Sequence, residues 1–185
     1  MNDSPVKTYN GIPVPAGETI QFVNAKPVTP NHPIIPYIEG DGIGAEITDA
    51  MRRILDLSVN LAYGDARSIA WLEVFAGDKA KARFGDALPA DTLTALTDFG
   101  VSIKGPLGTP TGEGMRSLHV TMRQHFDLFS CVRPVRYFRG VPSVVKRPQD
   151  LDVVIFRENI EDVYAGIEGP MGSDFAKETL ALCRK

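Results

Sequence analysis

The stretch PIIPYIEGDGIGA, residues 33–45, decides the class of the fold, because an apolar strand pattern passes through a glycine-rich turn into a helix pattern. Residues 33–38 predict a short buried strand. Over residues 41–62 apolar side chains recur at the spacing of one helix face: Ile43, Ile47, Met51, Ile54, Leu57 and Leu61. We expect Asp41 to cap the free N–H groups at the start of this helix.

The same alternation continues along the chain. Further strands are predicted over residues 68–75, 101–104, 128–137 and 151–156, and further helices over 89–99, 115–126 and from Ser173 onward. Residues 1–30 are polar and proline-rich and predict an N-terminal arm with one β-like run at 19–23. The run LDVVIF, residues 151–156, is typical of a strand buried in a sheet. Alternating strands and helices indicate the α/β class.

Composition excludes several classes of protein. The 185 residues are 43% hydrophobic and 23% charged with a net charge of -3, as in a soluble globular protein of one domain, or of one domain and part of another. The two cysteines, Cys131 and Cys183, have no metal-binding spacing and suit a reducing compartment. No signal-peptide pattern and no membrane-length apolar run is present, so we expect a cytoplasmic protein without membrane contact.

The distribution of charge points to an anionic ligand. Residues 1–103 carry a net charge of -5, residues 104–157 of +5, and residues 158–185 of -3. Proteins that bind nucleic acids are usually basic over most of their sequence. A single basic segment in an otherwise acidic chain therefore favours a small anion as the ligand. Residues 133–139 interleave arginines with aromatic side chains, which superficially suits single-stranded nucleic acid. The overall acidity and Pro134 disfavour that alternative, and we expect no nucleic-acid partner.

Residues 40–45, GDGIGA, formally fit the glycine pattern of a dinucleotide-binding turn. Asp41 would however place a negative charge beside the phosphates, and Asp65, about twenty residues on, follows a helix and not a strand. We therefore favour a structural turn between strand and helix over a Rossmann-type phosphate site.

The predicted helix over residues 115–126 presents Arg116, His119 and Arg123 on one face. Ser117 lies at its N-terminus, where a hydroxyl and free N–H groups suit a carboxylate. Three arginines from other segments could converge on the same anion and bind carboxylates in a bidentate manner: Arg133, Arg136 and Arg157. The alternative is that these arginines form surface ion pairs of little energetic value.

The loop after the strand LDVVIF occupies a position where α/β sheets commonly bind ligands, and it contains Tyr164. A tyrosine can act as a general acid if cationic neighbours lower its pKa, although an isolated tyrosine is more often a packing residue. The three histidines have no metal-ligand spacing.

Five segments, in this order, resemble one known family: IPYIEGDGIG (35–44), KGPL (104–107), RSLHVTMRQ (116–124), CVRPVRY (131–137) and FRENIEDVYAGIE (156–168). They are similar to the N-terminal part of bacterial NADP-dependent isocitrate dehydrogenases over residues 31–168. Isopropylmalate and homoisocitrate dehydrogenases share the fold but lack this form of the helix from Ser117 to Arg123. The resemblance therefore favours isocitrate and implies an isocitrate/isopropylmalate dehydrogenase-like α/β fold, distinct from a classical Rossmann domain and incomplete at the C-terminus.

This resemblance implies oxidative decarboxylation of isocitrate to 2-oxoglutarate, with NADP and Mg²⁺ or Mn²⁺, in a homodimer. It implies that Ser117, His119, Arg123, Arg133 and Arg157 bind substrate, that Tyr164 is the catalytic proton donor, and that Lys104 and Thr109 lie at the cofactor. It places the metal-binding aspartates and a catalytic lysine of the second subunit beyond Lys185. The family usually has Asn where this chain has His119, and often Thr where it has Gly108.

By the same resemblance, residues 31–128 begin a large domain, residues 129–165 a small domain and residues 166–185 a dimer clasp. We expect the 185-residue chain alone to lack dehydrogenase activity. The alternative function is a non-catalytic, shortened paralogue that binds a tricarboxylate or pairs with a full-length subunit.

Overall fold

The computed structural model describes residues 6–108, 117–161, 167 and 169–184. It consists of two compact units, one up to His119 and one from Val120 onward.

The N-terminal arm contains two β-hairpins. In the first, β1 (Thr8–Tyr9) pairs with β2 (Ile12–Pro13), and in the second, β3 (Gln21–Val23) pairs with β4 (Lys26–Val28). Both turns use two residues with positive φ, Asn10-Gly11 and Asn24-Ala25, as the tight turns of hairpins require. The sequence predicted only a β-like run at 19–23. The Asn-Gly pair was the available signal for the first hairpin.

A parallel sheet follows, with β5 (Ile34–Ile38) between β6 (Ala70–Glu73) and β7 (Ile103–Lys104). Its helices are α1 (Gly44–Tyr63), α2 (Asp78–Phe84) and α3 (Ala90–Phe99). All five residues of β5 are buried. The predicted α3 is confirmed, with Pro89 at its N-cap and Gly100 left-handed at its C-cap. Helix α2 was not predicted, although Gly77 and Gly85 delimit it.

The core of the first unit lies around β5 and β6. Its most buried large side chains are Phe75, Ile38, Leu72 and Val74. Phe75 meets Phe84 of α2 edge to face, with 5.4 Å between ring centroids. Tyr9 of the first hairpin meets Phe99 of α3 in the same manner at 6.0 Å. The first hairpin is therefore fixed to the core, whereas both Phe22 and Val23 of β3 are exposed.

In the second unit, β8 (Ser130–Arg136) and β9 (Asp152–Glu158) form an antiparallel ribbon. The prediction that residues 151–156 form a buried strand was right about the strand and wrong about its burial: Val154 is 50% and Phe156 71% exposed. An apolar run indicates that a strand can be buried, but it does not show whether another layer of the structure covers that strand. Among the described residues β9 pairs only with β8.

Two further α-helices occur in the described residues. Helix α4 (Leu118–His125) is shorter than the predicted 115–126, part of which lies outside the described residues. Helix α5 (Asp174–Cys183) begins as predicted at Ser173, whose Oγ accepts a hydrogen bond from the N–H of Ala176. Within the described residues, no helix is both long and apolar enough to cross a membrane.

Candidate functional site

The turn between β5 and α1 is fixed by the carboxylate of Asp41. Its Oδ1 accepts a hydrogen bond of 2.7 Å from the N–H of Asp78, and its Oδ2 accepts one of 2.7 Å from the N–H of Gly108. The predicted cap on α1 is therefore wrong, because α1 starts after Ile43 without a side-chain cap and Asp41 serves α2 and the loop after β7 instead. With both carboxylate oxygens engaged by protein N–H groups, the structure agrees with a structural turn and not with a phosphate site.

The same turn touches the loop after β7 through its backbone. The N–H of Asp41 donates to the carbonyl of Pro106 at 2.7 Å. A Cβ on Gly105 would lie 2.1 Å from the carbonyl oxygen of Glu39, and a Cβ on Gly40 would lie 2.3 Å from that of Pro106. Only glycine permits such an approach. Residues 105–108, which follow β7, are thus held against the carboxyl end of β5.

Lys104 ends β7 and is paired in register with Ile38. This is the carboxyl edge of the parallel sheet, the usual ligand-binding side in α/β folds. The Lys104 ammonium donates to the carbonyl of Gly105 at 2.9 Å. Thr109, the second residue that the resemblance assigned to the cofactor, lies outside the described residues.

A second lysine at this edge is structural. The Lys79 ammonium donates to Glu39 at 2.6 Å and also to Glu73. Burial acts to lower the pKa of Lys79, but the hydrogen bonds to the two carboxylates outweigh it and the pKa is raised. Lys79 therefore stays charged and ties the ends of β5 and β6 together.

A cavity of about 370 Å³ lies beside the Asp41 turn. It is lined by residues of α2 and its flanking loops, and also by Asp41, Gly108 and Leu118. The cavity adjoins the start of α4, where the sequence predicted an anion site. Its ionisable lining consists of three carboxylates and the ammonium of Lys81, and this net negative charge disfavours an anionic ligand.

Ser117 and His119, predicted to bind substrate, are placed at the N-terminal end of α4 and are both half-buried. The Nε2 of His119 lies 3.2 Å from the carbonyl oxygen of Leu107, within hydrogen-bonding distance. His119 thus contacts the loop that Asp41 holds. Arg116, predicted on the same helix face, lies outside the described residues, and Arg123 belongs to the second unit.

The β8–β9 ribbon places two of the predicted arginines on one face. Arg157 is paired with Cys131, and Arg133 lies two residues further along β8. Because side chains alternate between faces with a period of two, Arg133 and Arg157 share a face. Arg136 points to the opposite face, so the prediction that all three could converge on one ligand is wrong for Arg136.

The turn after β9 is held by side chains that the sequence analysis did not select. One carboxylate oxygen of Glu158 accepts the N–H groups of residues 159, 160 and 161 at 2.8, 2.7 and 2.9 Å. The bonds from Ile160, Glu161 and Asn159 hold the pKa of Glu158 below its usual range. Asn159, 3% exposed, donates to the carbonyl of Leu128 and accepts from the Cys131 thiol.

These anchors follow Arg157 directly in the chain. The signal in the sequence was an acidic side chain at a strand end, followed by the short polar run that such turns favour. Tyr164, the predicted proton donor, lies outside the described residues. Among the described residues, no group of three or more His, Cys, Asp or Glu side chains is arranged to hold a metal ion.

Comparison with known proteins gives consistent results. Residues 34–182 match the model of the family described as isocitrate/isopropylmalate dehydrogenase. The chain is 50% identical over 180 residues to the isocitrate dehydrogenase [NADP] of Nostoc sp., covering 96% of this chain and 38% of that protein. It is 53% identical over 174 residues to isocitrate dehydrogenase [NADP] 1 of Colwellia maris, covering 92% and 42%.

A solved structure with a similar fold is the isocitrate dehydrogenase from Methylococcus capsulatus, with a TM-score of 0.62 and 37% identity. That similarity covers 76% of this chain and 39% of the crystallised one. The chain therefore spans about two fifths of the length of these relatives. Both the matched family model and the shared fold lead to one conclusion: the chain belongs to the isocitrate/isopropylmalate dehydrogenase family.

Proposed function

We propose that this chain is the N-terminal portion of an enzyme that oxidises and decarboxylates isocitrate to 2-oxoglutarate with reduction of NADP in the cytoplasm. The observation that supports it most strongly is the 50% identity over 96% of the chain to an isocitrate dehydrogenase [NADP]. In this proposal residues 31–128 begin the large domain, residues 129–165 the small domain and residues 166–185 a dimer clasp.

The basic side chains would recognise the substrate. Arg133 and Arg157 share one face of the β8–β9 ribbon, a geometry that suits two guanidinium groups on one carboxylate-rich ligand. With Arg123 they would bind carboxylates of isocitrate. Ser117 and His119, at the start of α4, would hold another carboxylate with a hydroxyl and an imidazole.

The remaining proposed roles are proton donation to the substrate and contact with the cofactor. When bound, NADP would supply the hydride acceptor, and Mg²⁺ or Mn²⁺ would supply positive charge for the substrate oxygen that becomes negative during decarboxylation. Tyr164 would donate a proton to the carbon from which CO₂ departs, which converts the enol to 2-oxoglutarate. Lys104, at the carboxyl end of β7, and Thr109 would contact the cofactor. The metal ligands would come from sequence that this chain does not contain.

A chimera tests the proposal. The matched segment of the Nostoc relative is replaced by residues 34–182 of this chain, and isocitrate-dependent NADPH formation is followed by absorbance. We expect activity that requires Mg²⁺ or Mn²⁺ and falls at least about a thousandfold in kcat for Tyr164→Phe. A folded dimeric chimera without isocitrate-dependent NADPH formation contradicts the proposal.

The ribbon supplies a matched pair of variants for the same chimera. Arg133→Met should raise KM for isocitrate about 100-fold, as expected when one partner of a charged hydrogen-bonded pair is lost. Arg136→Met removes the same charge from the opposite face and should change KM less than about threefold. Equal effects of the two substitutions would refute the assignment of Arg133 to the substrate. For the 185-residue chain alone we expect no NADPH formation.

A further inference from the structure

His119, the second residue of α4, is half-buried and contacts the segment that follows β7. Its Nε2 lies 3.2 Å from the carbonyl oxygen of Leu107. A carbonyl oxygen accepts hydrogen bonds but cannot donate one, so Nε2 must carry the proton of this hydrogen bond. The neutral imidazole is therefore fixed in the form that has its single N–H group at Nε2.

The acceptor of this hydrogen bond is itself held in place. The carbonyl of Pro106 accepts the N–H of Asp41 at 2.7 Å, and the N–H of Gly108 donates to the Asp41 carboxylate at 2.7 Å. Leu107, between them, is 7% exposed. Because the residues on both sides of Leu107 are anchored to the same turn, its carbonyl keeps its direction and continues to occupy the Nε2–H group of His119.

The number of N–H groups on the ring decides what His119 can bind. A neutral imidazole has one N–H group and an imidazolium has two. The proposed function places a substrate carboxylate at His119, and a carboxylate, like a carbonyl, only accepts hydrogen bonds. With the Nε2–H group donating to Leu107, the ring can donate to the carboxylate only from Nδ1, which requires a second proton. The asparagine that the family resemblance implies at this position donates through an amide that does not titrate.

We propose that His119 couples the binding of isocitrate to the uptake of one proton. This inference rests on the proposed function, because it requires a substrate carboxylate at the start of α4. Bound substrate favours the imidazolium, so binding is strongest at a pH below the titration of the free ring and weakens as the pH rises through it. Histidine side chains ordinarily titrate near about pH 6.5, so the affinity for isocitrate falls across the neutral and mildly alkaline range.

In the described part of the chain, the elements next to His119 carry charged groups of both signs. Carboxylates favour the imidazolium and cations disfavour it. The carboxylates are Asp41 at the turn after β5 and Asp78 and Asp86 across the cavity that Leu118 lines, and the cations are Lys104, Lys81 and, one turn further along α4, Arg123. Side chains of these types do not ordinarily change charge between about pH 7 and 9, so the imidazole is the group that titrates in this range.

The chimera with the Nostoc relative tests the inference through the KM for isocitrate. Initial rates are measured at saturating NADP and Mg²⁺ for the chimera and for its His119→Asn variant. Between about pH 7.5 and 8.5 we expect the KM of the chimera to rise about tenfold relative to the KM of the variant, as one proton requires. The ionisation of isocitrate and of the rest of the site affects both proteins, so the ratio of the two KM values isolates the imidazole.

A matched control and a second measurement keep the result independent of turnover. His125→Asn removes an exposed imidazole from the same helix and should retain the pH dependence of the chimera. Calorimetry of isocitrate binding at about pH 8, in buffers with different ionisation enthalpies, counts the protons taken up. We expect the chimera to take up about one proton more than its His119→Asn variant.

The outcomes separate this inference from the proposed function. A chimera that binds isocitrate but forms no NADPH contradicts the proposed function, and the proton count then still decides the role of His119. A ratio of the two KM values that stays constant with pH overturns the inference, as does an equal proton uptake by the chimera and the His119→Asn variant. A chimera that binds no isocitrate contradicts both.

Discussion

Replacing Asp41 by Ala tests whether one carboxylate holds two loops of the first unit together. The side chain accepts the N–H groups of Asp78 and Gly108, each at 2.7 Å. Both donors lose this carboxylate partner in the variant. We expect Asp41→Ala to destabilise the first unit without changing its fold.

The magnitude follows from the two bonds. A hydrogen bond to a charged group contributes about 1.5–3 kcal/mol when water is excluded. Both of these bonds are accessible to water, so we take about 1 kcal/mol for each and expect a loss of about 2 kcal/mol in the free energy of unfolding. Asp41→Asn keeps one acceptor oxygen and should lose about half of that amount. Asp49→Ala removes only an exposed ion pair of 4.0 Å to Arg53 and should change the stability by less than about 0.5 kcal/mol.

Urea unfolding followed by tryptophan fluorescence measures these values. Trp71 is the single tryptophan and lies in β6, so its emission reports on the first unit and not on the second. With a urea dependence of about 1.5 kcal/mol per molar for a unit of this size, a loss of about 2 kcal/mol lowers the midpoint by just over 1 M. A midpoint for Asp41→Ala that equals the midpoint for Asp49→Ala would refute the reasoning.

Three further predictions concern single positions. Gly105→Ala should unfold the first unit or destabilise it by more than about 3 kcal/mol, because the added Cβ would lie 2.1 Å from a carbonyl oxygen. In Gly108→Ala the added Cβ would lie 3.4 Å from its nearest atom, so this control should stay within about 1 kcal/mol of the wild type in the same urea assay. Thr92→Val removes a buried hydroxyl that donates to the carbonyl of Phe75 and should cost about 1–2 kcal/mol in thermal unfolding, while the exposed Thr94→Val serves as its control. The pKa of Glu158 is lowered in the folded chain, so the ionised carboxylate stabilises the fold above the unfolded pKa of about 4.5, and this stabilisation is lost as the pH falls through the folded pKa. Carbon-detected NMR should show a titration midpoint below 4.5 for this carboxylate. The Glu158→Gln variant should lack the part of the acid destabilisation that Glu158 causes.

The first half of the parallel sheet was predictable because its signals are local. The apolar run before Gly40 and the helical spacing after it correctly predicted β5 and α1, and Pro89 and Gly100 correctly bounded α3. Each of these signals lies within a few residues of the element that it defines.

The role of Asp41 could not be predicted in this way. Its partners lie 37 and 67 residues further along the chain, and they are backbone N–H groups without a sequence signature. A local rule assigns such an aspartate to the nearest helix start, which here is α1. The prediction that β9 is buried failed for a related reason. Burial depends on a second layer that covers the strand, and an apolar run gives no information about that layer.

The arginines illustrate how far charge patterning reaches. Clustering of basic residues in the middle of the chain selected Arg133, Arg136 and Arg157 together. The odd spacing of Arg133 and Arg136 within β8 puts these two side chains on opposite faces, and the pairing of β9 with β8 then puts Arg157 on the face of Arg133. The roles of Tyr164 and Thr109 stay predictions.

The pairing of β8 with β9 restricts how this part of the chain can change length. Arg157 lies opposite Cys131, seven residues are paired on each strand, and neighbouring side chains face opposite ways. An insertion of one residue in β9 ahead of Arg157, with the preceding pairs kept, would turn its guanidinium to the face that carries Val132 and Arg136. A two-residue insertion, or a bulge that absorbs the extra residue, keeps both arginines on one side. Viable length variants of this ribbon should therefore differ by even numbers of residues, or carry the odd residue in the loop between Arg136 and Asp152.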